Sequence, residues 1–446
     1  DERRQHQHEQ AVEKIELHKA QMLHQSPFVA LQHRNFRLLW TGQLISFSGS
    51  NMQTAALLWH VSLLVPSGQR PIALGMVGLV RLMPIIFFSI AGGTIADASD
   101  RRRVMLLTQA GMAVTALALA VLTLRGVQHP WPIYALAAIG AAFGAFDSPA
   151  RQSLMPTLVP RDHLPNAISL NAIMVQVASV AGPAIGGLVI ATLGIAWVYA
   201  VNAFTFVCVI VALLKMRDVP MRGASDTGDI SVRAVREGFG FVFSDPIIRS
   251  TMLLDFFATF FSSATALLPI FAQDILHVGA RGYGWLYAAP SVGAVLTSIV
   301  MVRSIEKIER RGVVLLWAVS AYGAATIVFG LSHSFLLTFL CLAVTGAADT
   351  VSMVLRNVIR QLGTPDHLRG RMIGINMVFF QGGPQLGELE AGVVAQWIGA
   401  RGSVVSGGVG CLIAAACIAA RTPALRKYRR SFIDATEGGR LRSMVR

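Results

Sequence analysis

The chain has 446 residues, of which 54% are hydrophobic and 14% are charged, and its formal net charge is +14. Soluble domains carry about 25% charged residues, so this composition excludes a soluble domain and predicts an all-α polytopic membrane protein. The positive charge could indicate nucleic-acid binding, but the basic residues lie at the ends of apolar runs, so we expect no nucleic-acid partner. The cysteines lie inside apolar runs and are predicted to be reduced packing residues: Cys208, Cys341, Cys411 and Cys417.

The chain begins with a polar segment, 1–33, that we predict to be cytoplasmic, either as a surface helix over 9–25 or as a partly disordered tail. The first apolar run begins near Phe36, so no cleavable signal peptide is expected. The remainder divides into an N-terminal bundle (34–216), a cytoplasmic linker (217–246), a C-terminal bundle (247–421) and a basic cytoplasmic tail (422–446). The linker includes SVRAVREGFGFVF, which could form an amphipathic helix at the membrane surface.

Twelve membrane spans are predicted from the apolar runs, each long enough to cross a bilayer as a helix. Their approximate ranges are 36–65, 72–96, 104–125, 131–149, 166–193, 196–215, 248–275, 281–302, 313–332, 335–355, 372–398 and 402–420. Arginine and lysine are concentrated in the even-numbered links and in both tails, whereas the odd-numbered links hold only Arg70, Arg125, Arg281 and Arg401. This asymmetry places both termini in the cytoplasm, which requires an even number of spans.

The two halves of the chain repeat the same landmarks in the same order. GAFD at 144–147 corresponds to GAAD at 346–349, and GPAIGG at 182–187 corresponds to GPQLGE at 383–388. RQSLMPTLVP at 151–160 has the spacing of RNVIRQLGTP at 356–365, and each is followed by DHL. Parallel repeats of six spans are typical of transporters, with the substrate site between the halves near mid-membrane.

The link at 92–106, GGTIADASDRRRVML, joins the second and third spans. Residues 93–102 resemble the signature loop G-x-L-A-D-R-x-G-R-R of the major facilitator superfamily, with departures at Ala98 and Asp100. The second departure, together with FDSPARQSLMPTLVP at 146–160, is similar to the bacterial secretion-effector branch, which includes enterobactin exporters and macrolide efflux proteins. This resemblance covers essentially the whole chain and implies twelve transmembrane helices in two pseudo-symmetric six-helix bundles.

The same resemblance implies a charge relay that latches the cytoplasmic side, formed by Asp97, Arg101 and Asp147. Three charged groups at one membrane depth are expected to meet, because partly buried charges need partners. The alternative is three separately solvated loop charges. The link at 303–315 repeats the pattern, so a weaker copy is predicted in the second half at Glu306, Arg310 and Asp349.

The fifth span carries GPAIGG, which looks like the end of the antiporter motif of proton-driven exporters, although the upstream glycines of that motif are absent. A proline frees a backbone carbonyl and bends the helix, and glycines permit close approach to a neighbour. A hinge-like contact between the two halves and plain packing are both open interpretations. The motif residues are Gly182, Pro183, Gly186 and Gly187.

Two spans carry polar side chains along one helical face, and we predict that these faces line the substrate path. The alternative for any one residue is an interhelical hydrogen bond, worth about 0.6 kcal/mol. Phenylalanines surround the second face, which suits a bulky, partly apolar solute. Within that face, Asp255 could carry a coupled proton or be a structural carboxylate satisfied by glutamines of the first span. The faces are Gln43, Ser46, Ser50 and Gln53 in the first span, and Asp255, Thr259 and Ser262 in the seventh.

A lone arginine in the second span, Arg81, needs a carboxylate at its own depth. Counting from the span ends places Arg81 about 14 Å deep and Glu388 of the eleventh span about 15 Å deep. We predict that this pair closes the periplasmic side, with Glu390 facing the cavity or a neighbouring helix. The alternative is that Arg81 reaches the outer surface and both glutamates bind water. Glu388 and Glu390 are also candidates for proton coupling.

These features predict a secondary exporter of small amphipathic molecules, drugs or siderophore-like metabolites, in the bacterial inner membrane, operating by proton antiport. An importer of a nutrient by proton symport or facilitation, and a non-transporting receptor, are the alternatives. We expect a monomer with no cofactor and no metal, and no enzymatic activity. No Walker motif is present in the sequence, which excludes a self-contained ATP-driven pump.

Overall fold

The computed structural model describes residues 28–98, 100–217, 240, 242–365 and 368–429, without the side chains of 89–98, 264 and several residues between 369 and 381. The surface helix predicted at 9–25 and most of the linker, 218–239 and 241, therefore lie outside the described residues. So does the tail beyond residue 429. The described part of the chain is helical with short 3-10 connections, as the composition predicts.

The helices follow the predicted spans closely and are numbered here in chain order. The N-terminal half contains α1 Arg34–Leu64, α2 Arg70–Ala98, α3 Arg101–Leu124, α4 Trp131–Leu154, α5 Leu164–Thr192 and α6 Ile195–Lys215. The C-terminal half contains α7 Pro246–Phe261, α8 Gly279–Ser304, α9 Arg311–Leu331, α10 Phe335–Gly363, the continuous stretch Arg369–Arg421 and a short α13 Pro423–Lys427. Within the stretch Arg369–Arg421, Gly399 has φ 78° and ψ 161°, which separates α11 (369–398) from α12 (400–421).

Ten segments of the described residues are long and apolar enough to cross a bilayer. Helix α1 is not among them, because polar residues lower its hydropathy, and one of the ten, Gly382–Arg421, contains the turn at Gly399. Adding α1 and separating α11 from α12 gives twelve helices, which agrees with the predicted number.

Three predicted boundaries differ from the structure for local reasons. The fourth and tenth helices continue to Leu154 and Gly363, past the predicted ends at 149 and 355, because buried partners satisfy the arginines that follow. The seventh span, predicted at 248–275, corresponds to the membrane-crossing segment Pro246–Ile275, but this segment is not one regular helix. Helix α7 ends at Phe261, and a 3-10 turn, one short helical turn and the π-helical turn Phe271–Ile275 complete the span.

The twelve helices form two bundles that repeat one packing scheme. Helix α1 packs on α5 and α6, and α7 packs in the same way on the stretch that contains α11 and α12. Between the bundles, α2 packs along α11 and α5 packs along α8. We call the end where α1 begins and α12 ends the terminal face, and the end near Leu64 and Gly279 the distal face.

The two bundles are joined near the distal face. The Tyr283 hydroxyl of α8 donates to the Ala55 carbonyl at 2.8 Å, and Gln273 Nε2 donates to Ser62 Oγ at 2.7 Å. A hydrophobic core that combines residues of α1, α2, α8 and the end of the seventh span surrounds these bonds. The structure is therefore closed at the distal face.

Candidate functional site

The polar face of α1 is largely turned into its own bundle. Gln43 and Ser46 are buried, and Gln53 Oε1 accepts a hydrogen bond from Asn202 Nδ2 of α6 at 2.8 Å. For Gln53, the structure therefore shows the interhelical hydrogen bond that is the alternative to lining the substrate path. Gln43 Nε2 is buried and has no hydrogen-bond partner among the described residues, so it remains a donor for water or for a bound solute. Ser50 is half-buried between these positions.

Asp255 is fully buried, and its partners are arginines of α10 rather than glutamines of α1. Arg356 Nη2 lies 3.0 Å from Asp255 Oδ1, and Arg360 Nη2 lies 3.4 Å from Asp255 Oδ2. Each arginine side chain is only 2% exposed. Desolvated charges of this kind persist only when they are paired, so this cluster fixes α7 against α10.

Further contacts complete this group, which we call the arginine cluster: Thr251, Asp255, Asp349, Arg356 and Arg360. Arg360 donates to the Thr251 carbonyl at 2.8 Å and to Thr251 Oγ1 at 3.1 Å, and Arg356 lies 3.4 Å from Asp349. Arg360 also donates to the Asn376 side chain of α11. Two arginines and two aspartates balance in charge. The sequence showed both arginines within a repeated motif, but the predicted span ended one residue before Arg356, so their burial was missed.

The other polar residues of α7 lie at the break in the span. The Thr259 hydroxyl donates to the Asp255 carbonyl at 2.8 Å. Ser262 is buried at the end of the helix, and the neighbouring Ser263 hydroxyl donates to the Pro384 carbonyl of α11 at 2.8 Å. Irregular backbone at membrane depth is tolerated where it packs on protein or lines a cavity.

The predicted latch residues are only partly brought together. Asp147 is buried and accepts from Thr108 Oγ1 at 3.1 Å and from Gln109 Nε2 at 2.9 Å. Its arginine is Arg151, one turn further along α4, at 3.6 Å. Arg101 instead donates to the Ser153 carbonyl at 3.1 Å. The side chain of Asp97 lies outside the described residues.

Asp100, beside the latch, and Asp349, in the second half, have partners outside the predicted relays. Asp100 caps α3 by accepting from the Arg102 backbone N–H at 2.9 Å, a role that suits a carboxylate at a helix N-terminus. In the second half, Glu306 and Arg310 are exposed, whereas Asp349 contacts Arg356 of the arginine cluster. The second copy of the relay, at Glu306, Arg310 and Asp349, stays a prediction.

The glycines of the α5 motif serve two different contacts. Gly182 and Gly186 pack on α1, against the Ser48 carbonyl and Met52. Gly187 instead faces α8 of the other bundle, where a Cβ would lie 2.7 Å from the Gly284 Cα. Plain packing within the bundle therefore describes Gly182 and Gly186, and a contact between the two halves describes Gly187.

A second glycine crossing joins α2 to α11 in the corresponding place. A Cβ on Gly392 would lie 2.8 Å from the Gly75 Cα and 2.5 Å from the Pro71 carbonyl oxygen. We call the two contacts, Gly187 with Gly284 and Gly75 with Gly392, the glycine crossings. Because no side chain separates the backbones, each crossing brings the bundles into direct contact.

Glu388 lies at the α2–α11 contact beside Arg81. The Glu388 Oε2 atom would be 2.7 Å from a Cβ on Gly78, one turn before Arg81 along α2. Arg81 and Glu388 are close enough for their charges to attract each other, and Tyr287 of α8 lies within the field of both. Among the described residues no ion pair within 4.0 Å includes either of them, so Arg81 and Glu388 are neighbours without direct contact here. Glu390 is half-buried two residues further along α11.

Sequence reasoning missed an ion pair at the distal face. Arg70 Nη1 lies 3.0 Å from each carboxylate oxygen of Asp274, which bridges the start of α2 and the end of the seventh span. Nearby, Gln396 Nε2 donates to the Gly68 carbonyl at 2.6 Å. The available signal was an arginine in the first link, Arg70, and an aspartate at the end of the predicted seventh span, Asp274.

A family model described as transmembrane secretion effector matches residues 25–434. The chain therefore belongs to this family, within the major facilitator superfamily. It is 25% identical over 408 residues to the enterobactin exporter EntS of Escherichia coli O6:K15:H31, covering 91% of this chain and 96% of that protein. It is equally similar to EntS of Shigella boydii serotype 18, over 90% of this chain and 94% of that protein.

Solved transporter structures share the fold at low sequence identity. A bacterial homologue of the human lysosomal transporter Spinster, in an inward-facing and unoccupied conformation, superposes with a TM-score of 0.69 at 16% identity, covering 90% of this chain and 99% of that one. A bacterial homologue of ferroportin, in an inward-facing state, superposes with a TM-score of 0.67 at 15% identity, covering 89% and 99%. The chain is thus a multi-pass membrane protein with a transporter fold.

Proposed function

We propose that the protein exports a small amphipathic molecule, a siderophore-like metabolite or a drug, across the bacterial inner membrane in exchange for protons. The observation that carries the proposal is the break of the seventh span beside Thr259 and Ser262, in a structure closed at the distal face. Discontinuous helices near the midplane are where transporter folds bind substrates and coupling ions. The similarity to relatives named enterobactin exporter supports export rather than import.

The proposed orientation places the terminal face in the cytoplasm, because arginine and lysine are concentrated in the links at that face. In that orientation the closed distal face is periplasmic, and substrate enters from the cytoplasm. Alternating access then requires the two glycine crossings to separate while the terminal face closes. We propose that a monomer carries out this cycle, since the path lies between the two bundles of one chain.

The proposed cargo class follows from the aromatic rings on α7. Phe256 stacks on Phe260 with ring centroids 5.7 Å apart, and Phe379 of α11 meets Phe256 edge-on at 6.0 Å. These rings lie beside the break and beside the polar stripe of α7. A site that combines aromatic surface with few polar groups suits an amphipathic solute.

For proton coupling we propose Glu388 first. Asp255 is held in ion pairs with two arginines, whereas Glu388 has no ion pair within 4.0 Å among the described residues. A carboxylate that can lose and regain a proton as the bundles move apart fits the carrier role. Asp255 and Glu390 remain the other two candidates.

The function is tested by accumulation assays in cells with and without the protein, using a panel of siderophores and drugs. We expect lower retention of the cargo in cells that contain the protein, and we expect a protonophore to abolish the difference. Cells with the Glu388→Gln variant at equal membrane abundance serve as the matched control for coupling. Higher retention with the protein present would contradict export and would indicate the importing alternative.

The cytoplasmic latch yields a prediction for Asp97. We expect Asp97→Asn to abolish export while membrane abundance stays near wild type, because the neutral amide no longer pairs with a cation or with a helix N-terminus. Transport is measured with whichever cargo the panel identifies, and abundance by immunoblot. Full export by the variant would show that Asp97 is not part of a latch.

The Arg81 and Glu388 proximity yields a charge-swap prediction. Arg81→Glu and Glu388→Arg should each lose most export, because each leaves like charges together at membrane depth. The double variant should recover about tenfold more export than either single variant, because it again places opposite charges at these two neighbouring positions. The same swap with Glu390 is the matched control, and an equal recovery there would refute the pairing.

A further inference from the structure

A groove of about 550 Å³ lies between α7 and α12, with Arg249 and Arg421 at the end that reaches the terminal face. Both arginines are exposed, and Ile413 on the α12 wall is 57% exposed. The apolar walls are formed by Leu253, Phe257, Phe261, Ile413, Ala414 and Ile418. The groove is therefore long, apolar and open to the surroundings, with positive charge at one end only.

The groove lies on the opposite side of α7 from the substrate path. Leu253, Phe257 and Phe261 are spaced by four residues and share one helical face. Asp255 is two residues from Leu253, which rotates it by about 200° around the helix. Asp255 accordingly points into the bundle toward α10, away from the groove. A molecule in the groove would therefore not occupy the path used by cargo.

The charged end of the groove is prepared for an anion. Arg249 donates to the Phe243 carbonyl at 3.3 Å, which uses one of the five N–H donors of its guanidinium. No acidic side chain among the described residues lies within ion-pair distance of Arg249 or Arg421. Between the two arginines, the buried hydroxyls of Ser250 and Thr422 are 2.7 Å apart. This hydrogen bond joins the start of α7 to the end of α12.

We propose that this groove binds an anionic phospholipid, with the phosphate between Arg249 and Arg421 and an acyl chain along Phe257, Phe261 and Ile413. The charge complementarity selects the occupant, because a neutral hydrocarbon or detergent tail leaves both guanidinium groups without a counter-ion. Basic residues beside a membrane helix attract anionic lipids of the adjacent leaflet. The bound lipid would wedge between α7 and α12 and stabilise their packing at the terminal face.

The test uses the full chain purified in detergent and exposed to phosphatidylglycerol or phosphatidylcholine with identical acyl chains. Bound lipid is counted by native mass spectrometry, and a photoactivatable phosphatidylglycerol is mapped by peptide sequencing. We expect phosphatidylglycerol to bind wild type preferentially and to cross-link within the 410–421 segment. The double variant Arg249→Gln with Arg421→Gln should weaken this binding on the order of 30-fold, since each basic residue near the membrane surface contributes about five- to sixfold and the two factors multiply.

The matched control is Arg303→Gln with Lys307→Gln, which removes two exposed cations from the terminal end of the same bundle. A second variant, Ala414→Trp, fills the apolar wall and leaves both arginines in place, and it should also lose the lipid. The proposal would be overturned if the control pair weakened phosphatidylglycerol binding as much as the Arg249 and Arg421 pair does. It would also be overturned if wild type bound phosphatidylcholine as well as phosphatidylglycerol. Cross-links that map away from α7 and α12 would overturn it as well.

Discussion

Replacing Gly187 with leucine is expected to stop transport by preventing closure of the distal face. A Cβ at this position would lie 2.6 Å from the Ala280 carbonyl oxygen and 2.7 Å from the Gly284 Cα, which are backbone atoms of α8. Backbone cannot move aside as a flexible side chain can, so the crossing must open. Overpacking of this kind costs about 1–3 kcal/mol, which moves the equilibrium between distal-closed and distal-open states by roughly five- to 150-fold.

This shift can be measured by spin-label distances across the distal face, with labels at Ser67 and Arg281, both exposed, in a cysteine-free background. We expect a longer distance population in Gly187→Leu than in wild type, together with loss of export. Gly187→Ala should show the same direction with a smaller shift. Gly144→Ala is the matched control, because a Cβ there meets no atom within 4 Å. Normal export by Gly187→Leu with a closed distal face would contradict the role of the crossing.

Removing the Asp255 carboxylate is expected to cause the largest loss of stability of any single substitution in the C-terminal bundle. Asp255→Ala leaves Arg356 paired only with Asp349 and removes the one carboxylate among the described residues that pairs with Arg360, while both arginines stay buried. Breaking a buried ion pair by removing one partner costs about 3–5 kcal/mol, because the remaining charge is uncompensated. The measurement is thermal or denaturant unfolding of the purified protein in detergent.

A double variant separates charge balance from other roles of Asp255. Asp255→Asn with Arg360→Gln removes one positive and one negative charge, so it should recover much of the stability lost in Asp255→Asn alone. Asp274→Asn is the control, since its partner Arg70 is at the surface and such a pair contributes at most about 1 kcal/mol. A loss for Asp255→Ala no greater than the loss for Asp274→Asn would refute the structural role.

The same variants address proton coupling. If Asp255 carries the proton, Asp255→Asn should lose proton-driven export and retain substrate exchange, and the double variant should not recover the drive. If Asp255 is structural, the double variant should restore export with the wild-type pH dependence. Unchanged pH dependence in any folded Asp255 variant would leave Glu388 as the favoured carrier.

The sequence predicted most of the fold because membrane insertion imposes a strong local rule. Every backbone polar group in the hydrocarbon region must be paired, so each apolar run of sufficient length becomes a helix, and its ends follow from the charged links. Helix α6, predicted at 196–215, is Ile195–Lys215 in the structure. The seventh span lies where it was predicted, but its break at Ser262 was not predicted, because the break coincides with a contact of Ser263 with the Pro384 carbonyl of another helix.

The sequence by itself determined the class of protein, the twelve helices, the repeat of two halves and the candidate positions Gly187, Arg81 and Glu388. Periodicity and length can be read from a single segment, and the repeat can be read by comparing two segments of the sequence. Only the tertiary structure decided which partners those positions have. Arg356 and Arg360 became the counter-ions of Asp255, and Gly187 met Gly284, because packing brings together residues about 100 positions apart whose pairing no local pattern encodes.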